Sequence, residues 1–77
     1  MSRKHFQSLA TALGLQLRYA ADVSWETGQG FLLAVEAIER DLDAQSATFR
    51  RDTFHEWVMD TATGRRDAEG KLVKVSA

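Results

Sequence analysis

Apolar side chains return every three or four positions in three successive segments of this chain. That spacing places them on one face of an α-helix, whose period is 3.6 residues. The 77 residues include no proline, so no residue type forces a break inside these segments. The pattern predicts an all-α fold: a small three-helix domain over residues 1–60, followed by an irregular or weakly β tail. That tail, residues 61–77, is expected to be either flexible or docked.

The first segment predicts a helix that opens at Ser2, a good N-cap residue. Gly14 costs roughly 1 kcal/mol relative to alanine inside a helix, so the helix either ends there or continues to about residue 20 or 21. In the continuous form, Leu15 and Tyr19 form a second apolar strip, well away from the main face. A helix that is apolar on two sides needs two covers. A partner protein is one candidate for the second cover.

Residues 22–30 predict a connector, because they combine helix-capping side chains with two glycines. Trp25 lies within it. We expect this indole to fold back over the core. The alternative is an exposed anchor for a partner, a role that tryptophan often has in interfaces.

The second helix is predicted over about residues 29–44 and is expected to be the central one, packed between the other two. Its buried stripe consists of Phe31, Val35, Ile38 and Leu42. The acidic residues fall largely outside that stripe, so we expect them to form an exposed acidic face: Glu36, Glu39 and Asp43.

The third helix is predicted from about Phe49 to Asp60, with an aromatic side that covers the open end of a two-helix hairpin. Beyond it, residues 62–64 indicate a stop, residues 67–70 a turn, and residues 71–75 an alternating pattern typical of a strand. A single strand without a mate is not stable alone, so a frayed tail is the preferred expectation. The alternative is a segment docked on this domain, on a second copy or on a partner.

Size and composition limit how such a domain is stabilised. A core of this size is marginal, and the absence of cysteine excludes disulfides and thiolate metal sites. Helix packing or self-association must therefore supply the stability, and a homodimer is one possible form. The missing cysteine fits a cytoplasmic protein. No apolar run approaches the roughly 20 residues that cross a bilayer, so we expect no membrane partner.

Catalysis is not expected from this sequence. There is no phosphate-binding glycine loop, and the two histidines, His5 and His55, are interpreted as surface residues near helix ends. His55 has Asp52 and Glu56 as local carboxylate neighbours, a common arrangement that carries little weight as a metal or acid–base site. We therefore expect a non-enzyme with no cofactor and no metal.

Two short motifs of the chain resemble those of a known group of proteins. The opening Met1-Ser2-Arg3-Lys4-His5-Phe6, together with Phe49-x-Arg51-x-x-Phe54 in the third segment, resembles a group of small phage and prophage proteins of unknown function. The chain departs from that group in having no cysteine near the end of the third helix and in its tail, residues 61–77. The resemblance implies no catalytic residues; it implies a phage-related setting in a bacterial host cell.

The preferred functional hypothesis is a non-enzymatic protein-interaction module. In this hypothesis the chain is a phage-encoded protein that binds and modulates a host or phage protein. The predicted partner-binding residues are Leu15, Tyr19, Trp25, Glu36, Glu39 and Asp43. The alternative is a small DNA-binding regulator, because the two ends of the chain are basic although the middle is acidic and the net charge is −1. That alternative uses Arg50, Arg51, Arg65 and Arg66.

Overall fold

A computed structural model describes residues 3–74 of the chain, so the predicted cap Ser2 and the last residue of the predicted strand, Val75, lie outside the described part. It contains three helices, α1 (Arg3–Val23), α2 (Trp25–Gln45) and α3 (Arg51–Ala62), and no sheet within the described part. The predicted all-α, three-helix fold is confirmed. Across residues 3–74, no helix has the length and apolar character needed to traverse a bilayer.

Helix α1 is continuous through Gly14, which decides between the two forms left open by the sequence. Gly14 lies where α1 crosses α3. A Cβ atom at this position would come 2.5 Å from Cβ of Thr61 and 2.7 Å from the carbonyl oxygen of Val58. No side chain fits there, so the glycine permits a close approach of the two helices that outweighs its poor helix propensity.

The predicted connector over residues 22–30 is wrong. Only Ser24 separates α1 from α2. Its backbone is extended, with φ −168° and ψ 159°, and its Oγ accepts a hydrogen bond from the backbone N–H of Thr27 at 3.1 Å. Gly28 lies inside α2, where a Cβ would come 3.0 Å from Cα of Ala21. This glycine allows the two helices of the hairpin to approach each other closely.

The central helix is α1, and the prediction that α2 is central is also wrong. Helix α1 packs extensively against both other helices, whereas α2 and α3 touch little. Small buried residues explain this position: Ala10, Gly14 and Ala20 allow neighbours to approach α1 on more than one side.

The core is built around Val35, Val58 and a run of phenylalanines. Phe49 is buried and stacks in tilted geometry on Phe6 and on Phe54, with ring centroids 5.1 Å and 5.2 Å apart. Phe49 precedes α3 instead of belonging to it, so α3 lies about two residues later than predicted. Ile38, expected in the buried stripe of α2, is 37% exposed.

The segment after α3 is docked on the domain through Arg66 and Gly70, so the preferred expectation of a frayed tail is wrong for this part. Gly64, with φ +85°, ends α3 at the predicted stop. An isolated antiparallel bridge joins Arg66 to Leu72, and the N–H of Val73 donates to the carbonyl oxygen of Arg65 at 2.8 Å. We call residues 65–73 the docked turn.

Candidate functional site

Helix α3 has an open groove on each side. The α2/α3 groove is bordered by Glu36 and Glu39 of α2, by Phe49 and Arg50 just before α3, and by one side of α3 as far as Met59. The α1/α3 groove is bordered by the first two turns of α1, by the start of α3 and by the docked turn. Different charges line them: carboxylates and arginines line the α2/α3 groove, whereas arginines but no carboxylates line the α1/α3 groove.

A buried glutamate and a half-exposed histidine join the two walls of the α2/α3 groove. Glu39 is 1% exposed, and both its carboxylate oxygens lie within hydrogen-bond distance of Nδ1 of His55, at 3.0 Å and 2.9 Å. The side chain of His55 is 43% exposed. Because a carboxylate only accepts, Nδ1 of the imidazole is the donor, and Nε2 is left for other contacts.

A carboxylate–imidazole pair of this kind orients general bases in many enzymes. A nucleophile or a bound water must then lie within reach of Nε2. The side chains that line the α2/α3 groove include no hydroxyl, thiol or amine. In residues 3–74 no group of three or more metal-ligating side chains comes together. What the geometry shows is a structural contact: the pair joins α2 to α3 where these helices otherwise touch little.

The predicted position of Glu39 on an exposed acidic face is wrong. Its carboxylate is buried because Glu39 follows Val35 by four positions and so continues the inward stripe of α2. That spacing was visible in the sequence, but a charged residue there was assigned to the solvent side. The proposed local neighbours of His55 are likewise not its ion-pair partners, since His55 pairs with Glu39 across the groove.

The other predicted partner-binding residues are accessible. Leu15 is 36% exposed, Tyr19 68% and Trp25 73%. The expectation that Trp25 folds back over the core is wrong, because α2 begins at Trp25 and the one-residue turn before it leaves no chain to fold back. Val23, 60% exposed, extends the strip of α1, since residues 15, 19 and 23 are spaced by four.

The remaining two acidic residues lie elsewhere. Glu36 borders the α2/α3 groove. Asp43 is exposed near the end of α2, 18 residues after Trp25, which corresponds to about 27 Å along a helix. The structure therefore brings Leu15, Tyr19 and Trp25 to one helical hairpin but does not bring the three acids together with them.

The four arginines of the nucleic-acid alternative do not form one surface. Arg50 borders both grooves, Arg51 only the α2/α3 groove and Arg66 only the α1/α3 groove. Arg65 borders neither; its side chain is 76% exposed and lies 3.9 Å from Asp60. Arg3, which belongs to the basic N-terminal end of the chain, joins Arg50 and Arg66 in the α1/α3 groove.

Arg66 is held in place by several contacts at once. Its guanidinium carbon lies 3.7 Å from the centroid of the Trp57 ring, and its Nη1 donates to the carbonyl oxygen of Gly70 at 2.8 Å. Nε of Arg66 lies 3.5 Å from a carboxylate oxygen of Asp60. Trp57 in turn donates from Nε1 to Oγ1 of Thr11 at 2.9 Å, so α1, α3 and the docked turn meet around this indole.

No family model, no curated protein and no solved structure matches this chain.

Proposed function

We propose that this chain is a non-catalytic protein-interaction module that binds its partner through the outer surface of the α1–α2 hairpin. The docking surface consists of Leu15, Tyr19 and Val23 on α1 and Trp25 at the start of α2. Its occupant is a protein with an apolar face of comparable size. The resemblance of the chain to small phage proteins is the basis for placing that partner among host or phage proteins in the bacterial cytoplasm.

One observation carries this proposal: two large aromatic side chains are mostly exposed on either side of a one-residue turn. Tyr19 is 68% and Trp25 73% exposed, and only Ser24 separates the helices that carry them. An aromatic side chain of this size buries roughly 150–250 Å² when it enters a core or an interface. Tyrosine and tryptophan are also enriched among residues that dominate binding energy. A short turn fixes their relative position, which lowers the entropy lost on binding.

The charges beside the docking surface indicate the polarity of the partner. Asp22 and Glu26 are exposed and flank the turn, one on each helix. A partner with basic side chains around an apolar centre matches this arrangement, because opposite charges at the rim of an interface steer association and fix orientation.

The test is affinity purification of the tagged chain from the host cell, in parallel with a Tyr19→Ser/Trp25→Ser variant. Leu72→Ser is the matched control, since Leu72 is 67% exposed and lies on the docked turn, outside the two helices of the hairpin. We expect a stoichiometric partner with the native chain and with the control, and its loss with the double variant. Circular dichroism checks that all three chains stay helical.

Retention of the same partner by the double variant would contradict the proposal. So would a native chain that purifies alone and sediments as a monomer at every concentration. Self-association that disappears in the double variant would identify the partner as a second copy of this chain. The docking surface would then stay as proposed, with a homodimer as its function.

A further inference from the structure

The α1/α3 groove combines three arginines with an apolar floor. It has a volume of about 780 Å³, within the range of about 300–1,000 Å³ typical of small-molecule sites. Arg3, Arg50 and Arg66 border it, and no aspartate or glutamate does. In a chain whose net charge is −1, this is a local concentration of positive charge.

Two of these arginines are not engaged in an ion pair within the described residues. Among residues 3–74, neither Arg3 nor Arg50 forms an ion pair within 4.0 Å, whereas Arg66 lies beside Asp60. Arg50 precedes α3 and makes no side-chain capping bond. Both residues are exposed. Guanidinium groups bind phosphate oxygens in bidentate geometry, with stronger hydrogen bonds than neutral donors form.

The third arginine is rigid, and the floor beside it is aromatic. Arg66 is stacked on Trp57 and bonded to Gly70, so it does not have to be ordered when a ligand arrives. Phe6 and Trp57 are half-buried and border the groove. Arg66 covers one face of the Trp57 ring, which leaves Phe6 and the uncovered part of the indole for a ligand. Such a floor accommodates a flat ring, and aromatic side chains stack on nucleobases without regard to sequence.

We propose that the α1/α3 groove is a nucleotide site, in which Arg3 and Arg50 hold a phosphate and the base lies on the floor formed by Phe6 and Trp57. The ligand chemistry is a phosphate joined through a sugar to a flat aromatic base. It has two sources, a free nucleotide and a single strand of nucleic acid. This site is distinct from the docking surface on the α1–α2 hairpin, so either assignment can fail without the other.

The test is an NMR titration of the ¹⁵N-labelled chain with a nucleoside monophosphate, the same nucleoside without phosphate, inorganic phosphate, and a short single-stranded oligonucleotide. We expect the monophosphate to shift the amides of Arg50 and Thr53 and the indole N–H of Trp57, and to bind more tightly than either of its halves. An oligonucleotide that binds far more tightly than the monophosphate identifies a nucleic-acid strand as the source; equal affinity identifies the free nucleotide.

Adjacent arginines provide a matched pair of variants. Arg50→Ala is expected to raise the dissociation constant about tenfold, the effect of losing a charge-assisted hydrogen bond. Arg51→Ala removes the same charge one residue away, but Arg51 borders only the opposite groove, so we expect a change of less than about twofold. Neither substitution removes a side-chain cap of α3, and both variants are expected to stay folded.

Three results would overturn this assignment. One is the absence of any shift at millimolar monophosphate in the folded chain. Another is equal weakening by Arg50→Ala and Arg51→Ala, which would indicate diffuse attraction of anions. The last is equal affinity for inorganic phosphate and for the monophosphate, which would show that the aromatic floor takes no part in binding.

Discussion

The two interfaces of α3 differ in how they are held together. Against α1, α3 packs through direct backbone approach at Gly14 and through the Trp57–Thr11 hydrogen bond. Against α2, it makes few contacts, and the Glu39–His55 hydrogen bond spans this interface. The first interface depends on shape, whereas the second depends on one polar contact beside an open groove.

This difference shows where the fold tolerates change. Close packing spreads its stabilisation over many weak contacts, and any added atom disturbs it. A buried carboxylate concentrates its effect in one contact, because it needs its hydrogen-bond donor to offset the cost of leaving water. Substitutions that separate these two mechanisms test the comparison directly.

The largest effect is expected from His55→Ala at the α2/α3 interface. It leaves the carboxylate of Glu39 buried without a partner, which lowers the free energy of unfolding by about 3 kcal/mol, the low end for a broken buried pair, since water reaches the half-exposed site. Urea unfolding followed by circular dichroism measures this change. The control Glu56→Ala removes an exposed neighbour and should change the free energy of unfolding by less than about 0.5 kcal/mol.

A second variant shows whether the loss comes from the unpaired charge. His55→Ala combined with Glu39→Leu replaces the carboxylate by an apolar group of similar volume, and we expect most of the lost stability to return. If the double variant is no more stable than His55→Ala alone, the pair does not carry the α2/α3 interface.

The next largest effect on stability is expected at the α1/α3 interface, where two helical glycines can be compared. Gly14→Ala adds a Cβ that clashes with the backbone and a side chain of α3. We expect this overpacking to outweigh the gain in helix propensity and to lower the free energy of unfolding by about 2 kcal/mol. Gly30→Ala is the matched control, because nothing lies within 4 Å of a Cβ at that position. It should raise the free energy of unfolding by about 0.5–1 kcal/mol.

Opposite signs for these two substitutions in thermal and urea unfolding are the expected result. A Gly14→Ala variant as stable as the native chain would mean that α1 and α3 do not approach as closely as the structure has them.

The smallest effect concerns the docked turn, which packs on the α1/α3 side. Backbone N–H groups of Lys71 and Glu69 donate to Oδ1 of Asp67, and they hold the pKa of this exposed carboxyl below its usual value of 3.8. A lowered folded-state pKa contributes stability that is present above the unfolded-state pKa and is lost as pH falls through the folded-state pKa. The turn should therefore loosen only in acid.

The measurement is the amide proton shift of Lys71 and Glu69 as pH falls from about 5 to about 2, the range in which a depressed carboxyl titrates. We expect both shifts to follow one titration with a midpoint below 3.8. The Trp57 indole N–H should move with them if the turn undocks. In Asp67→Asn this titration should vanish; its persistence would assign it to another carboxyl.

The sequence was sufficient to predict the features that depend on near neighbours. Helix type and number follow from apolar spacing within one or two turns, and Gly64 marks the end of α3 because it adopts the left-handed conformation. The exposed strip of Leu15 and Tyr19 was predicted in the same way. The mistakes at Gly28 and Glu39 arose where a local signal, a glycine or a charge, was overridden by packing against another helix.

Only the tertiary structure decided which helix is central, how the tail docks and which arginines share a groove. These features depend on contacts between residues far apart in sequence: Glu39 meets His55 across 16 positions, and Thr11 meets Trp57 across 46. A side chain's spacing along its own helix shows which face it occupies. It does not show what lies opposite, because that depends on how closely whole helices approach, and this closeness is set by small residues such as Gly14.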